Sequence, residues 1–168
     1  MEAIQDATLE ELVNDSSQEG QFLTFTIANQ EYGIEIKNVT EIIGIQKITD
    51  LPELPPFIKG VINLRGKVIP VIDVRLRFGM PERKYDERTC IVVVNINDTS
   101  VGLVVDTVSE VMNIPQESIE PPPKVNKKID GNRFIQGLGK IEEDVKILLN
   151  TEKLLFEEEL DMLKTVSN

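Results

Sequence analysis

"YGIEIKNVTEII", Tyr32 to Ile43, returns sixty-nine residues later as "VGLVVDTVSEVM", Val101 to Met112. The overlay pairs Gly33 with Gly102, Ile34 with Leu103, Ile36 with Val105, Val39 with Val108, Thr40 with Ser109, Glu41 with Glu110 and Ile42 with Val111. That many matches in register mark an internal repeat, and a repeat sets the architecture before any single element is assigned.

Working outward, Leu23, Phe25 and Ile27 alternate on one face, Ala28 to Glu31 reads as a hairpin loop, and Tyr32, Ile34 and Ile36 alternate again. This is strand, turn, strand. The same grammar recurs in "IVVVNINDTSVGLVVDTV", where Asn97 to Ser100 is a run of turn-forming side chains. Farther on, "FIKG" at Phe57 to Gly60 returns as "FIQG" at Phe134 to Gly137, each followed by a strand, a short turn and a second apolar strand. Proline-rich connectors precede both, at Pro52 to Pro56 and Pro121 to Pro123. Two copies of a five-strand unit of roughly 65 residues follow, and strands that short close best as small barrels, because closure removes exposed edges. At that size each unit buries only about 60% of its unfolded surface, so the two are expected to share a core. The expected limits are an acidic tail over 1–20, barrel one over about 21–88 and barrel two over about 89–150. A helix over 151–166 closes the chain, with Thr151 as N-cap and Phe156, Leu160 and Leu163 on one face.

Composition excludes much chemistry. The 168 residues contain no histidine, which removes Ser-His-Asp and Cys-His catalysis and the commonest zinc ligand. Cys90, the only cysteine, lies in the apolar run "TCIVVV" and reads as a buried thiol. No cofactor, metal or catalytic residue is expected. No apolar run approaches the ~20 residues of a bilayer span, and the first twenty lack the basic and apolar regions of a signal peptide. A cytoplasmic protein without direct membrane insertion is the expectation, and the starting methionine and terminal helix suggest a complete chain.

The net charge of -11 is concentrated at the ends: residues 1–20 hold six acids and no base. That argues against nucleic acid as a partner. Lys59 to Arg88 dissents, with eight basic residues against four acidic ones, either a solvated face or an electropositive docking patch.

Within that segment, "GVINLRGKVIPVIDVR" reads as a hairpin with Arg65-Gly66-Lys67 at its tip, where Gly66 supplies a positive φ. An arginine held between two stiff strands suits a binding contact, and equally suits a turn chosen for solubility. Here the sequence resembles the CheW family of chemotaxis coupling proteins. The resemblance rests on this motif together with "EYGIEIKNVTEI" upstream and "VGLVVDTVSEV" downstream, and covers about residues 21–156. It implies two five-stranded SH3-like barrels in tandem, in a mainly β fold, and a non-enzymatic adaptor recruited to membrane-bound receptor arrays. The implied partners are the cytoplasmic tip of chemoreceptors and the regulatory domain of the histidine kinase CheA. It also implies partner contacts at Arg65, in the "NLRG" motif, and at Val39 and Glu41, in the "VxEI" motif. Ile43, two residues on, extends that face by spacing.

Three rival readings are weaker. Asp73 in "VIDV" and Asp106 in "VVDT" suggest an aspartic protease dyad, but neither is followed by the Thr-Gly or Ser-Gly of such loops. "GLGK" at Gly137 to Lys140 lacks the spacing of a phosphate-binding loop. An RNA-binding barrel would need stacking aromatics, which are scarce at 5%.

Overall fold

The computed structural model describes residues 19–122, 133–155 and 157–167. All but the last two residues of the expected acidic tail, together with Pro123 and Phe156, lie outside them. The chain forms eleven strands among the described residues: β1 (Gln21–Ile27), β2 (Gln30–Glu35), β3 (Val39–Gly44), β4 (Ile58–Leu64), β5 (Lys67–Asp73), β6 (Cys90–Ile96), β7 (Thr99–Val105), β8 (Thr107–Asn113), β9 (Ile119–Glu120), β10 (Ile135–Ile141) and β11 (Asp144–Leu149). Two helices join them, a single turn α1 (Val74–Arg77) and the terminal α2 (Glu157–Ser167). A mainly β fold with a C-terminal helix is what the residue pattern led us to expect; in place of two closed five-stranded barrels the strands form one six-stranded and one five-stranded sheet, the short β9 adding the extra strand.

The strand orders are β8-β1-β2-β11-β10-β9 in one sheet and β3-β6-β7-β5-β4 in the other. Neither sheet is confined to one half of the sequence. The hairpin β1–β2 lies among strands of the second half, and the hairpin β6–β7 lies among strands of the first, so the expected limit near residue 88 does not separate the sheets. Each half lends its first hairpin to the other. The links explain this: a three-residue turn, Ile36–Asn38, separates β2 from β3, and Asp106 alone separates β7 from β8. The chain stays extended at both ends of the Ile36–Asn38 turn, so β3 continues out of the first sheet into the second.

The two sheets match residue by residue. Val71 pairs with Gly102 in one and Leu148 with Gly33 in the other, each across a parallel contact. Asp73 donates its backbone N–H to the Phe57 carbonyl at 2.7 Å, and Asn150 donates its own to the Phe134 carbonyl at 2.7 Å. Both "FIxG" strands slip register before their glycine, at Ile58/Gly60 and Ile135/Gly137. These glycines admit a closing segment. A Cβ on Gly60, whose φ is +142°, would run into the Thr49 carbonyl, where Thr49 bridges to Val61. A Cβ on Gly137 would sit 2.9 Å from the Glu120 carbonyl of β9.

Apolar side chains form one large cluster and two small ones. Phe25, Ile27, Ile34, Val92, Val94 and Leu103 belong to the large shared core. Ile91, Val93, Val71 and Ile62 form a second cluster, and Phe22, Ile114 and Leu148 a third. Both faces of β6 are therefore buried, which is why it reads as an unbroken apolar run.

At the C-terminus the expected helix start moves. Residues Thr151–Lys153 form a 3-10 turn capped by Asn150, whose Oδ1 accepts from the Glu152 N–H at 3.1 Å. The Thr151 hydroxyl is buried without a partner among the described residues and caps nothing. α2 begins only at Glu157, with Leu160 and Leu163 buried in the large core.

Candidate partner interface

The β4–β5 hairpin turns on Arg65 and Gly66, with φ of 52° and 86°. Both central residues in the left-handed region make this a type I′ connection, matched to the twist of the strands. The Asn63 Oδ1 accepts from the Gly66 N–H at 2.8 Å and braces it. For arginine such a backbone costs roughly 1–2 kcal/mol, so the side chain is held at this tip against local preference. Its side chain is 71% exposed, and the guanidinium donates from Nη2 to both carboxylate oxygens of Glu41. The hydrogen bond and the negative charge of Glu41 raise the Arg65 pKa further.

Glu41 reaches Arg65 because β3 bulges. Its pairing with β6 skips Thr40, between Val39 opposite Val94 and Glu41 opposite Val93, and the Thr40 hydroxyl donates to the Val93 carbonyl at 3.1 Å. A bulge re-aims the residues that follow it. Ile43, half-buried, packs with Leu64 against the second apolar cluster. Glu41 and Ile43 on β3 and Arg65 on the β4–β5 tip thus come together although β3 and β4 are opposite edges of the five-stranded sheet. Val39 differs from what its motif implies: it is 6% exposed and belongs to the large core, so it anchors β3 from beneath and offers little surface.

The second copy carries the same geometry without the same chemistry. Val108 is buried like Val39, and β1–β8 slips register between Val108 and Glu110. Glu142, at the tip between β10 and β11, has a φ of 55°. The pair equivalent to Glu41 and Arg65 is therefore Glu110 and Glu142, two acids. An ion pair on this tip is a property of one copy only.

The rival sites resolve differently. Asp73 accepts from the Leu76 N–H at 3.2 Å and from the Tyr85 hydroxyl at 2.6 Å. Burial, then this hydrogen bond, pushes the Tyr85 phenol well up. Asp106 accepts from Arg75 Nε and Nη2 at 2.9 and 2.7 Å and from the Ala28 N–H at 2.9 Å. Burial pushes the Asp106 carboxyl up, but the Arg75 hydrogen bonds, the Ala28 N–H and the charges of Arg75 and Arg83 hold it below the usual range. Each acid has its own donors and no arrangement for sharing a proton. "GLGK" lies inside strand β10. Of the eight bases in 59–88, Lys59, Arg65, Arg75, Arg77 and Arg83 are paired with acids, so most of the apparent surplus is neutralised. Cys90 is free and buried.

Two features had weak sequence signals. The Thr40 bulge shows only as a Thr/Ser shared by both copies. Arg77, buried under the C-terminal segment, has no motif.

Comparison with known proteins bears on this surface. Residues 21–159 match the model of the CheW-like domain. The chain is 42% identical over 147 residues to a chemotaxis protein CheW of Klebsiella aerogenes, covering 88% of each. It is 36% identical over 141 residues to one of Helicobacter pylori, covering 84% of each. The crystal structure of the scaffolding protein TtCheW from Thermoanaerobacter tengcongensis superposes with a TM-score of 0.76 at 39% identity, over 83% of this chain and 94% of that one. With the repeat, the paired sheets and a match over nearly all of the described fold, this chain belongs to the CheW-like family.

Proposed function

We propose that this protein is a non-enzymatic adaptor that couples chemoreceptors, the methyl-accepting chemotaxis proteins, to the histidine kinase CheA. The observation that carries the reading is the exposed Arg65–Glu41 pair on a strained, braced tip, present in only one of two otherwise equivalent copies. A pair needed only for the fold would be expected in both. Arg65, Glu41 and Ile43 take the helical receptor tip, the charges setting orientation and Ile43 adding apolar contact. Val39 supports them from the core. The regulatory domain of the kinase takes a separate surface, so that the adaptor acts by holding two partners at once. It works in the cytoplasm, recruited to membrane-bound receptors; among the described residues no helix is long and apolar enough to cross a membrane.

Co-sedimentation of the full chain with a receptor signalling fragment and the kinase tests this. A ternary complex with the wild type, weakened about thirtyfold by Arg65→Glu as for an interface hot spot, is the expected result. Equal recovery of both partners with the variant would remove Arg65 from the interface.

A further inference from the structure

A pocket of about 230 Å³ lies between the two halves, sharing no residue with the Arg65 surface. Its walls are Tyr32, Ile147 and Leu149 from one sheet and Phe134 just before β10 of that sheet, with Phe78 and Met80 from the segment that follows α1. The rings form a ladder: Tyr32 to Phe78 is 5.7 Å between centres and Phe78 to Phe134 is 5.4 Å. Arg77 also borders the pocket, but its guanidinium is engaged by the Leu154 carbonyl and by Glu159.

One polar group in this lining is unused. Tyr32 is only 7% exposed, and its hydroxyl has no hydrogen-bond partner among the described residues. Nor is that oxygen sealed in protein, since it is absent from the fully enclosed unsatisfied atoms. An accessible phenol can donate to an acceptor on a bound molecule in place of water, for a modest net gain. Burial also raises the Tyr32 pKa, which keeps the O–H as a donor. Packing alone does not call for a hydroxyl here, because phenylalanine would fill the same ring position.

We propose that this pocket binds a small neutral molecule made of one apolar ring carrying a hydrogen-bond acceptor, with the acceptor taking the Tyr32 hydroxyl. The size agrees: an apolar cavity of about 150 Å³ holds benzene, and the remaining space accommodates a short carbonyl-bearing substituent. Because the walls come from both halves of the chain, the occupied pocket ties the sheet bearing Tyr32 to the segment bearing Phe78. Ligand binding to the folded state alone then raises the unfolding temperature.

Acetophenone and ethylbenzene, alike in size and differing in the acceptor, are suitable probes for titration of the full chain followed by amide chemical shifts and thermal unfolding. The expected result is saturable shifts confined to the lining residues for both probes, with acetophenone about fivefold tighter, the worth of one hydrogen bond. Tyr32→Phe, which removes only an unpartnered hydroxyl, should abolish that preference while ethylbenzene binds as before. Met80→Phe, which fills the pocket, should weaken both. Absence of saturable shifts with either probe, or an acetophenone preference that survives in Tyr32→Phe, overturns the proposal.

Discussion

Phe57 and Phe134, the first residues of the two "FIxG" motifs, face one guanidinium: Arg77 lies 4.4 Å from the first ring centre and 5.1 Å from the second. The same group donates to the Leu154 carbonyl at 2.7 Å and to Glu159 of α2. One side chain thus joins equivalent points of both copies to the C-terminal segment. Burial lowers its pKa, against the charge of Glu159.

Arg77→Met keeps the apolar stem and removes the fork. Losing one member of a largely buried pair costs about 3 kcal/mol, and the loss should fall first on α2. Urea unfolding gives the total. Hydrogen exchange that accelerates across 157–167 before the strands locates it; uniform acceleration everywhere would contradict the role described for Arg77.

Gly60 and Gly66 both have positive φ, yet only one is crowded. A Cβ on Gly66 meets nothing within 4 Å, whereas one on Gly60 meets the Thr49 backbone. Gly66→Ala should cost about 1 kcal/mol, the backbone term alone. Gly60→Ala should cost more than ~3 kcal/mol, since the bridging segment must move. Comparable denaturation midpoints for the two variants would rule out the close approach.

Asp106 supplies a pH dependence. Its folded pKa is depressed, so its contribution to stability is present above the ordinary carboxylate pKa and is lost as pH falls through the folded value. The wild type should therefore lose stability on acidification below about pH 4. Asp106→Asn should be less stable at neutral pH and show a shallower acid-side slope. An unchanged slope would mean that Arg75 does not hold this carboxylate in solution.

The Glu41–Arg65 pair can be inverted. The double variant Glu41→Arg with Arg65→Glu keeps an ion pair and reverses its outward face. Thermal unfolding should stay where the wild type has it, as surface pairs contribute little, while receptor binding falls as far as with Arg65→Glu alone. Restored binding would show that the pair matters only for holding the hairpin. Glu110→Ala, at the equivalent acid of the second copy, should leave binding unaltered.

Strands, hairpins and the repeat were legible because side-chain alternation and turn chemistry are local. The tip at Arg65 was equally plain, since Gly66 marks it. Sheet membership was not, because the same apolar residue serves whichever sheet lies beside it. Val92 and Val93 face different clusters with identical side chains. Val39 shows the same limit at the interface: its motif names the position, but only the fold puts it in the core. Arg77 escaped because burial of an arginine depends on partners from residues far along the chain, Leu154 and Glu159.

The lending of hairpins between halves also governs how this polypeptide can be made. When β1 and β2 leave the ribosome, both of their flanking strands, β8 and β11, have yet to be synthesised. β1 must wait for β8, which ends at Asn113, and β2 must wait for β11, which ends at Leu149, near the end of the chain. Assembly of the six-stranded sheet is therefore a late event, and products truncated before β11 cannot complete it, although the strands of the other sheet are all present once β7 is made.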